Sequence, residues 1–298
     1  MKPWRDLTTT NPDFANVALA SVALDRNASV GKGARFAPRK LRTLSQHLPP
    51  ASKDGLDLTA IKLLDLGNIG NNFTSFSKIE QKANDIYHLN KFSVFLGGDH
   101  SIAIPLQKAF YQYCIENNKI PAIIHIDAHP DICDVYHGSK FSHACPNFRA
   151  IELGYKYEDV KLLGIRGFEL QEIDLFKHHP ELEVINASTL NEKGMDAIKH
   201  FKTHFDDRYL VYLSFDIDAI DPSFVPGTGT PEAFGLSPSL VTKMITDFVL
   251  TIPVFVFDIV EISPKLDIND VTSWTALKIL YEVFASLTKK WQLKEKNQ

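Results

Sequence analysis

The sequence predicts a single-domain α/β fold three layers deep, with helices on both faces of a mainly parallel sheet of roughly eight strands. Three observations carry this expectation. Short apolar runs alternate with helical patterns from one end of the chain to the other, as strands joined by helical crossovers do. No internal repeat, low-complexity stretch or linker interrupts the 298 residues, so one domain spanning 1–298 is expected. Hydrophobic residues make up 44% of the chain, ample for one core.

Taken in order, the first apolar run predicts a strand over Val17–Leu24, followed by a helix over Pro38–Leu48. A strand over Ile61–Leu66 and a helix over Ser77–Leu89 repeat the unit. Next come a strand over Phe92–Leu96, a helix over Ile102–Asn117 and a strand over Ala122–Ile126. Strands over Val160–Ile165 and Leu182–Ile185 flank a helix over Leu170–His178. A helix over Glu192–Phe205 leads to a strand over Tyr209–Phe215, and a helix over Pro238–Leu250 to a strand over Val254–Ile259. The final helix is the clearest, because Trp274, Leu277, Leu280, Phe284 and Leu287 fall on one face. Ser273 stands near its start, and Lys289 and Lys290 are expected in its last turn.

Charge and cysteine usage exclude several classes. Thirty-two basic against 36 acidic residues give a net charge of −4, which offers no field for nucleic acid or an anionic membrane. No long apolar run is present, and the opening MKPWRDLTTTNPDF lacks the apolar stretch of a signal peptide. Cys114, Cys133 and Cys145 are odd in number and lack metal-site spacing, so they read as reduced thiols of a cytoplasmic protein.

The chemistry gathers in three segments: GGDHS at Gly97–Ser101, HIDAHPD at His125–Asp131, and SFDIDAIDP at Ser214–Pro222. Asp127, His129 and Asp131 follow an apolar run at steps of two, which in extended chain would put them on one face. Asp216 and Asp218 repeat the device, and His100 follows the run Phe92–Leu96. A lone strand-end Asp is more often a turn former or helix cap, and a lone His a satisfied polar residue. Three such clusters at carboxyl ends of strands, where open α/β sheets bind ligands, outweigh those readings. Four carboxylates and two imidazoles without a thiolate suit manganese or a similar first-row ion better than structural zinc. If Asp127 and Asp216 bridge, they would hold two ions about 3.5 to 4 Å apart and acidify a shared water for hydrolysis. Gly97 and Gly98 make the turn that aims His100, and the loop Pro222–Gly235 is expected to wall the site. Asp221 is assigned to the turn with Pro222; Asp258 is a candidate partner for a ligand; His125, His137, His178 and His179 are left as structural or surface residues.

In order and spacing, GGDHS, DAHPD, SFDIDAIDPSFVPGTGTPEAFGLS and DIVEISP resemble the signatures of the ureohydrolases, the arginase and agmatinase family, from about Val17 to the last helix. The resemblance implies an arginase-like fold, two Mn2+ per chain and a homo-oligomer, trimer or hexamer. It implies one manganese held by His100, Asp127, Asp131 and Asp216, and the other by Asp127, His129, Asp216 and Asp218. His143 in KFSHACPN matches the family's proton-transfer histidine, and Glu261 the glutamate that pairs with the substrate guanidinium.

The substrate implied is a small guanidino compound. Arginases place an asparagine where this chain has Cys133, and an aspartate pair where GIRGFE puts Gly167 and Glu169. The loop DVYHGSKFSHAC is similar to agmatinases, and Pro130 stands where relatives usually have threonine. Agmatine, giving putrescine and urea, is therefore the leading expectation. Guanidinobutyrate, guanidinopropionate, guanidine, arginine and formiminoglutamate are the alternatives within the class. A non-catalytic metal-binding homologue is the alternative outside it, disfavoured because an idle protein has little reason to keep costly clustered charges.

Overall fold

A computed structural model of the chain describes residues 2–296. Eight strands form one sheet: β1 (Val17–Ala23), β2 (Leu63–Asn71), β3 (Phe92–Leu96), β4 (Ile120–Ile126), β5 (Val160–Ile165), β6 (Glu183–Asn186), β7 (Tyr209–Asp216) and β8 (Val254–Val260). Their order is β2-β1-β3-β8-β7-β4-β5-β6, and every pairing is parallel. Nine helices are described: α1 (Ala37–Ser45), α2 (Phe76–Tyr87), α3 (Ala103–Glu116), α4 (Pro146–Leu153), α5 (Leu170–His178), α6 (Ala187–Lys193), α7 (Phe201–His204), α8 (Pro238–Thr251) and α9 (Val271–Lys296).

Two apolar clusters sandwich the sheet. One joins side chains of α1, α6, α7, α8 and α9, such as Leu41, Leu190, Phe201, Phe248 and Leu280, to alternate residues of the strands. The other joins α2 to α5 to the opposite face through residues such as Ile79, Phe110, Ala150 and Phe176. Central strands buried on both faces read as continuous apolar runs, and β3 is buried at all five positions. Among the described residues no helix is long and apolar enough to cross a membrane.

Four expectations need correction. Strand β2 runs on to Asn71 through Gly67 and Gly70, because an edge strand with mixed burial needs no apolar run. The helix expected over Glu192–Phe205 is broken: α6 stops at Lys193, a 3-10 turn spans Gly194–Ala197, and only Phe201–His204 resumes. Gly194, at φ +55, ends the first piece. Helix α4, opened by Pro146, adds an element beyond the expected set. Helix α9 continues to Lys296, so Lys289 and Lys290 lie before its last turn; the Lys290 ammonium instead donates to the carbonyls of Val249 and Ile252 at the end of α8.

The chain leaves β3, passes over two strand positions and enters β4, and β7 and β8 later fill the gap. The four central strands thus bring their carboxyl ends together at a change of winding direction, where such sheets bind ligands.

Candidate metal centre

His100 is delivered by β3, Asp127, His129 and Asp131 by β4, Asp216 and Asp218 by β7, and Glu261 by β8, on adjacent central strands. Gly98 makes the first turn tight, since a Cβ there would lie 1.7 Å from the Leu24 carbonyl oxygen. Asp99 caps the one-turn helix that follows by accepting from the Ser101 amide.

The expectation of a shared strand face for Asp127, His129 and Asp131 is corrected, because β4 stops at Ile126. A turn gathers them instead: Asp127 Oδ1 accepts from the His129 amide at 2.7 Å, and Asp131 adopts φ +51. Likewise Asp216 ends β7, while Asp218 lies in a one-turn helix whose amide donates to Asp216 Oδ1. Turn chemistry, not strand alternation, produces the step of two.

Around His100 Nδ1 lie Asp127 Oδ2 at 3.0 Å, Asp131 Oδ2 at 3.0 Å and Asp216 Oδ2 at 3.2 Å. Around His129 Nδ1 lie Asp218 Oδ2 at 3.3 Å and Asp127 Oδ1 at 3.5 Å. Asp127 therefore faces His100 with one oxygen and His129 with the other. His100 Nδ1 and Asp127 Oδ2 are buried without a hydrogen-bond partner, although both point into the cluster. Buried polar atoms are rarely left so, and a cation between them would satisfy both. Donor atoms of His100, His125, Asp127 and Asp131, and separately of Asp127, His129 and Asp218, lie within 4.8 Å of one another. The donor set and the orphaned atoms fit two divalent cations that share Asp127.

Electrostatics point the same way. Burial, together with Asp218 and Asp127, pushes the Asp216 carboxyl well above its usual range. Burial would also raise Asp127, but the surrounding imidazoles of His125, His100 and His129 hold it well below. Burial disfavours a charged His100, yet contacts with Asp127, Asp131 and Asp216 raise it well above an ordinary histidine. Packed like charges of this kind are costly unless cations neutralise them.

The supports of the cluster were only partly legible. His100 Nε2 contacts Ser214 Oγ at 2.9 Å, and that hydroxyl donates to Asp258 Oδ1 at 2.8 Å. Asp258 also accepts from Tyr212 Oη and the Phe215 amide, so it does support His100, through Ser214. Arg166 donates to the carbonyls of Asp218, Ala219, Glu232 and Ala233, tying the wall loop to the centre. Buried Glu172 accepts from the amides of Ile132 and Glu169, which joins the loop after Asp131 to the start of α5. Apart from the Glu169–Glu172 capping box, these partners meet across long sequence separations that no local pattern marks. His125 is fully buried beside His100, whereas His178 is exposed.

His143 and Glu261 meet beside the cluster: Glu261 Oε1 accepts from the His100 amide at 2.9 Å and lies 3.1 Å from His143 Nδ1. His143 Nε2 faces Ser29 Oγ at 3.0 Å. Burial lowers His143, but the Glu261 contact outweighs it and carries the imidazole up to about 9. Asp221 makes the expected turn, accepting from the amides of Ser223 and Gly235.

A cavity of about 480 Å3 opens onto this centre. His129, Asp131, Asp216 and His143 form its floor, Tyr136 and His137 one side, and Gly229 to Glu232 of the expected wall loop another. A Cβ at Gly167 would lie 2.7 Å from His129 Cδ2, so a larger residue there would displace that ring.

The model of the Arginase family matches residues 15–285. A human mitochondrial guanidino acid hydrolase is 30% identical over 289 residues, covering 94% of this chain and 80% of the relative. An agmatinase of Bacillus subtilis is 31% identical over 287 residues, covering 92% and 93%. The crystal structure of agmatine ureohydrolase of Thermoplasma volcanium superposes with a TM-score of 0.85 at 28% identity, covering 98% of this chain and 96% of that one. The matched span contains all four strand ends that build the cluster, and the chain belongs to the arginase family of hydrolases acting on the carbon–nitrogen bonds of amidines.

Proposed function

We propose that the chain is a binuclear manganese hydrolase of agmatine, releasing putrescine and urea. His100, Asp127, Asp131 and Asp216 would hold one ion, and Asp127, His129, Asp216 and Asp218 the other. The two ions would supply Lewis acidity, making a nearby water nucleophilic and stabilising charge on the guanidino group. Glu261, whose Oε2 is not engaged by the His100 amide, orients the guanidinium. His143, raised to about 9 by its contact with Glu261, gives its proton to the departing amine. Three buried free cysteines suit a reducing, cytoplasmic setting.

The substrate's tail rests on one observation: the described residues lining the cavity include Glu169, Glu172 and Glu232 but no lysine or arginine. A carboxylate tail, as in guanidinobutyrate or arginine, would find no lysine or arginine there to pair with. The ammonium of agmatine would find acids. Relatives named for guanidino acids and for agmatine match about equally well, so cavity charge is what separates the two readings.

After manganese loading, urea release from agmatine, arginine and 4-guanidinobutyrate tests this. Agmatine should exceed the other two in kcat/KM by at least about tenfold, since one charge-assisted contact contributes about 1.5–3 kcal/mol. A preference for 4-guanidinobutyrate or arginine would overturn the agmatine assignment and leave the metal reading intact.

A further inference from the structure

His125 has no role in the scheme above, yet it lies at the heart of the centre. It is fully buried on β4, two residues before Asp127, and its ring stacks on that of His100 with centroids 4.7 Å apart and planes 18° apart. Its Nε2 is 3.0 Å from the His129 carbonyl oxygen and 3.0 Å from Asp127 Oδ2, while Nδ1 is buried without a partner.

A carbonyl oxygen only accepts, so the nitrogen facing it carries the proton. Once protonated, Nε2, the nitrogen that faces Asp127, has no lone pair for a metal, and this sets His125 apart from His100 and His129 although it falls within the cluster. The hydrogen bond has a definite mechanical effect. Both backbone polar groups of His129 are held: Asp127 Oδ1 holds its amide at 2.7 Å, and His125 holds its carbonyl. The turn carrying Asp127, His129 and Asp131 is thereby fastened to the end of β4. Asp127 Oδ2, close to the imidazole but without a hydrogen bond, stays open to a cation.

We infer that His125 is a positioning residue of the metal centre, whose Nε2–H fixes the His129 carbonyl and with it the ligand turn between residues 127 and 131. This rests on the metal reading of the site. Groups that orient ligands in this way typically govern metal affinity by about 10- to 100-fold.

The test compares two amides of different reach. Gln places its amide nitrogen where Nε2 stands; Asn reaches only to the level of Nδ1. Manganese affinity and stoichiometry are measured on metal-free protein by calorimetry, for wild type, His125→Gln and His125→Asn, with circular dichroism confirming the fold. Wild type and His125→Gln should bind two ions with affinities within about threefold, and His125→Asn should bind two ions about 10- to 100-fold more weakly. Equal affinity in all three would overturn the inference, as would loss of one ion at saturation in both variants, which would make His125 a ligand. If His125→Asn does not fold, His125→Phe, which fills the volume without a donor, takes its place under the same criteria. Failure of wild type itself to bind manganese would instead overturn the metal reading.

Discussion

At Glu261 one carboxylate meets two demands. The residue sits just past β8 with φ +59, a left-handed conformation that a non-glycine residue adopts at some cost, and such strain is often kept where function needs it. The conformation lets Oε1 hold the His100 amide while the carboxylate faces His143. Glu261→Gln keeps an oxygen for that amide and removes the charge. Both ions should therefore remain, while kcat/KM falls by about 10- to 100-fold or more, the loss expected for a charged hydrogen bond in a shielded site. His143→Ala should also retain both ions, with its defect mainly in kcat, because it removes a proton donor and no ligand. Metal analysis beside steady-state kinetics decides this: an ion missing from Glu261→Gln would show that Glu261 is a ligand.

At the scale of elements, strand ends make the site. The six candidate ligands could be read from the sequence because each sits within a few residues of a buried apolar run, and such runs announce their own termini. His125 could not, since a buried histidine inside a run looks the same whether it packs or positions. Ser214 and Asp258 meet through the β7–β8 pairing, in which they are register partners, and pairing is not written locally. The far end of edge strand β2 and the break between α6 and α7 escaped for a related reason, since partial burial relaxes the periodic pattern on which sequence reading depends. The turn after β3 offers a direct test of element packing. The Leu24 carbonyl after β1 accepts from the Asp99 amide at 2.7 Å and leaves no room for a side chain at Gly98. Gly98→Ala must push the β1 end from the β3 turn or tilt His100, so stability should fall by at least about 1–3 kcal/mol, the cost of overpacking. Manganese affinity should fall with it. Urea unfolding and metal titration of this variant would refute the account if both matched wild type.

Over the whole molecule, residues near 100, 127–131 and 214–218 converge only when the central strands are assembled, so the cluster exists in the folded chain and not in the unfolded one. A ligand bound only by the native state stabilises it by mass action, about 2.7 kcal/mol for one site at 100 times its Kd. Two ions would contribute about 5.4 kcal/mol on this scale, and in a chain of this length each kcal/mol moves Tm by roughly 1.6 °C, so manganese should raise Tm by about 9 °C over the chelated protein. Chelation should abolish urea release and added manganese restore it. The sign of the pH effect follows from proton competition: ligating imidazoles and carboxylates must be deprotonated, so acid opposes the ion and alkali favours it. The Tm gap between loaded and chelated protein should accordingly widen as pH rises from about 5.5 to 8. Asp216→Ala removes the carboxylate that the proposed ligand set assigns to both ions, and should bind at least one ion fewer and show a smaller gap. Thermal melts with parallel metal analysis measure both quantities, and an active preparation that contains no metal, with a Tm indifferent to chelation, would sink the binuclear reading.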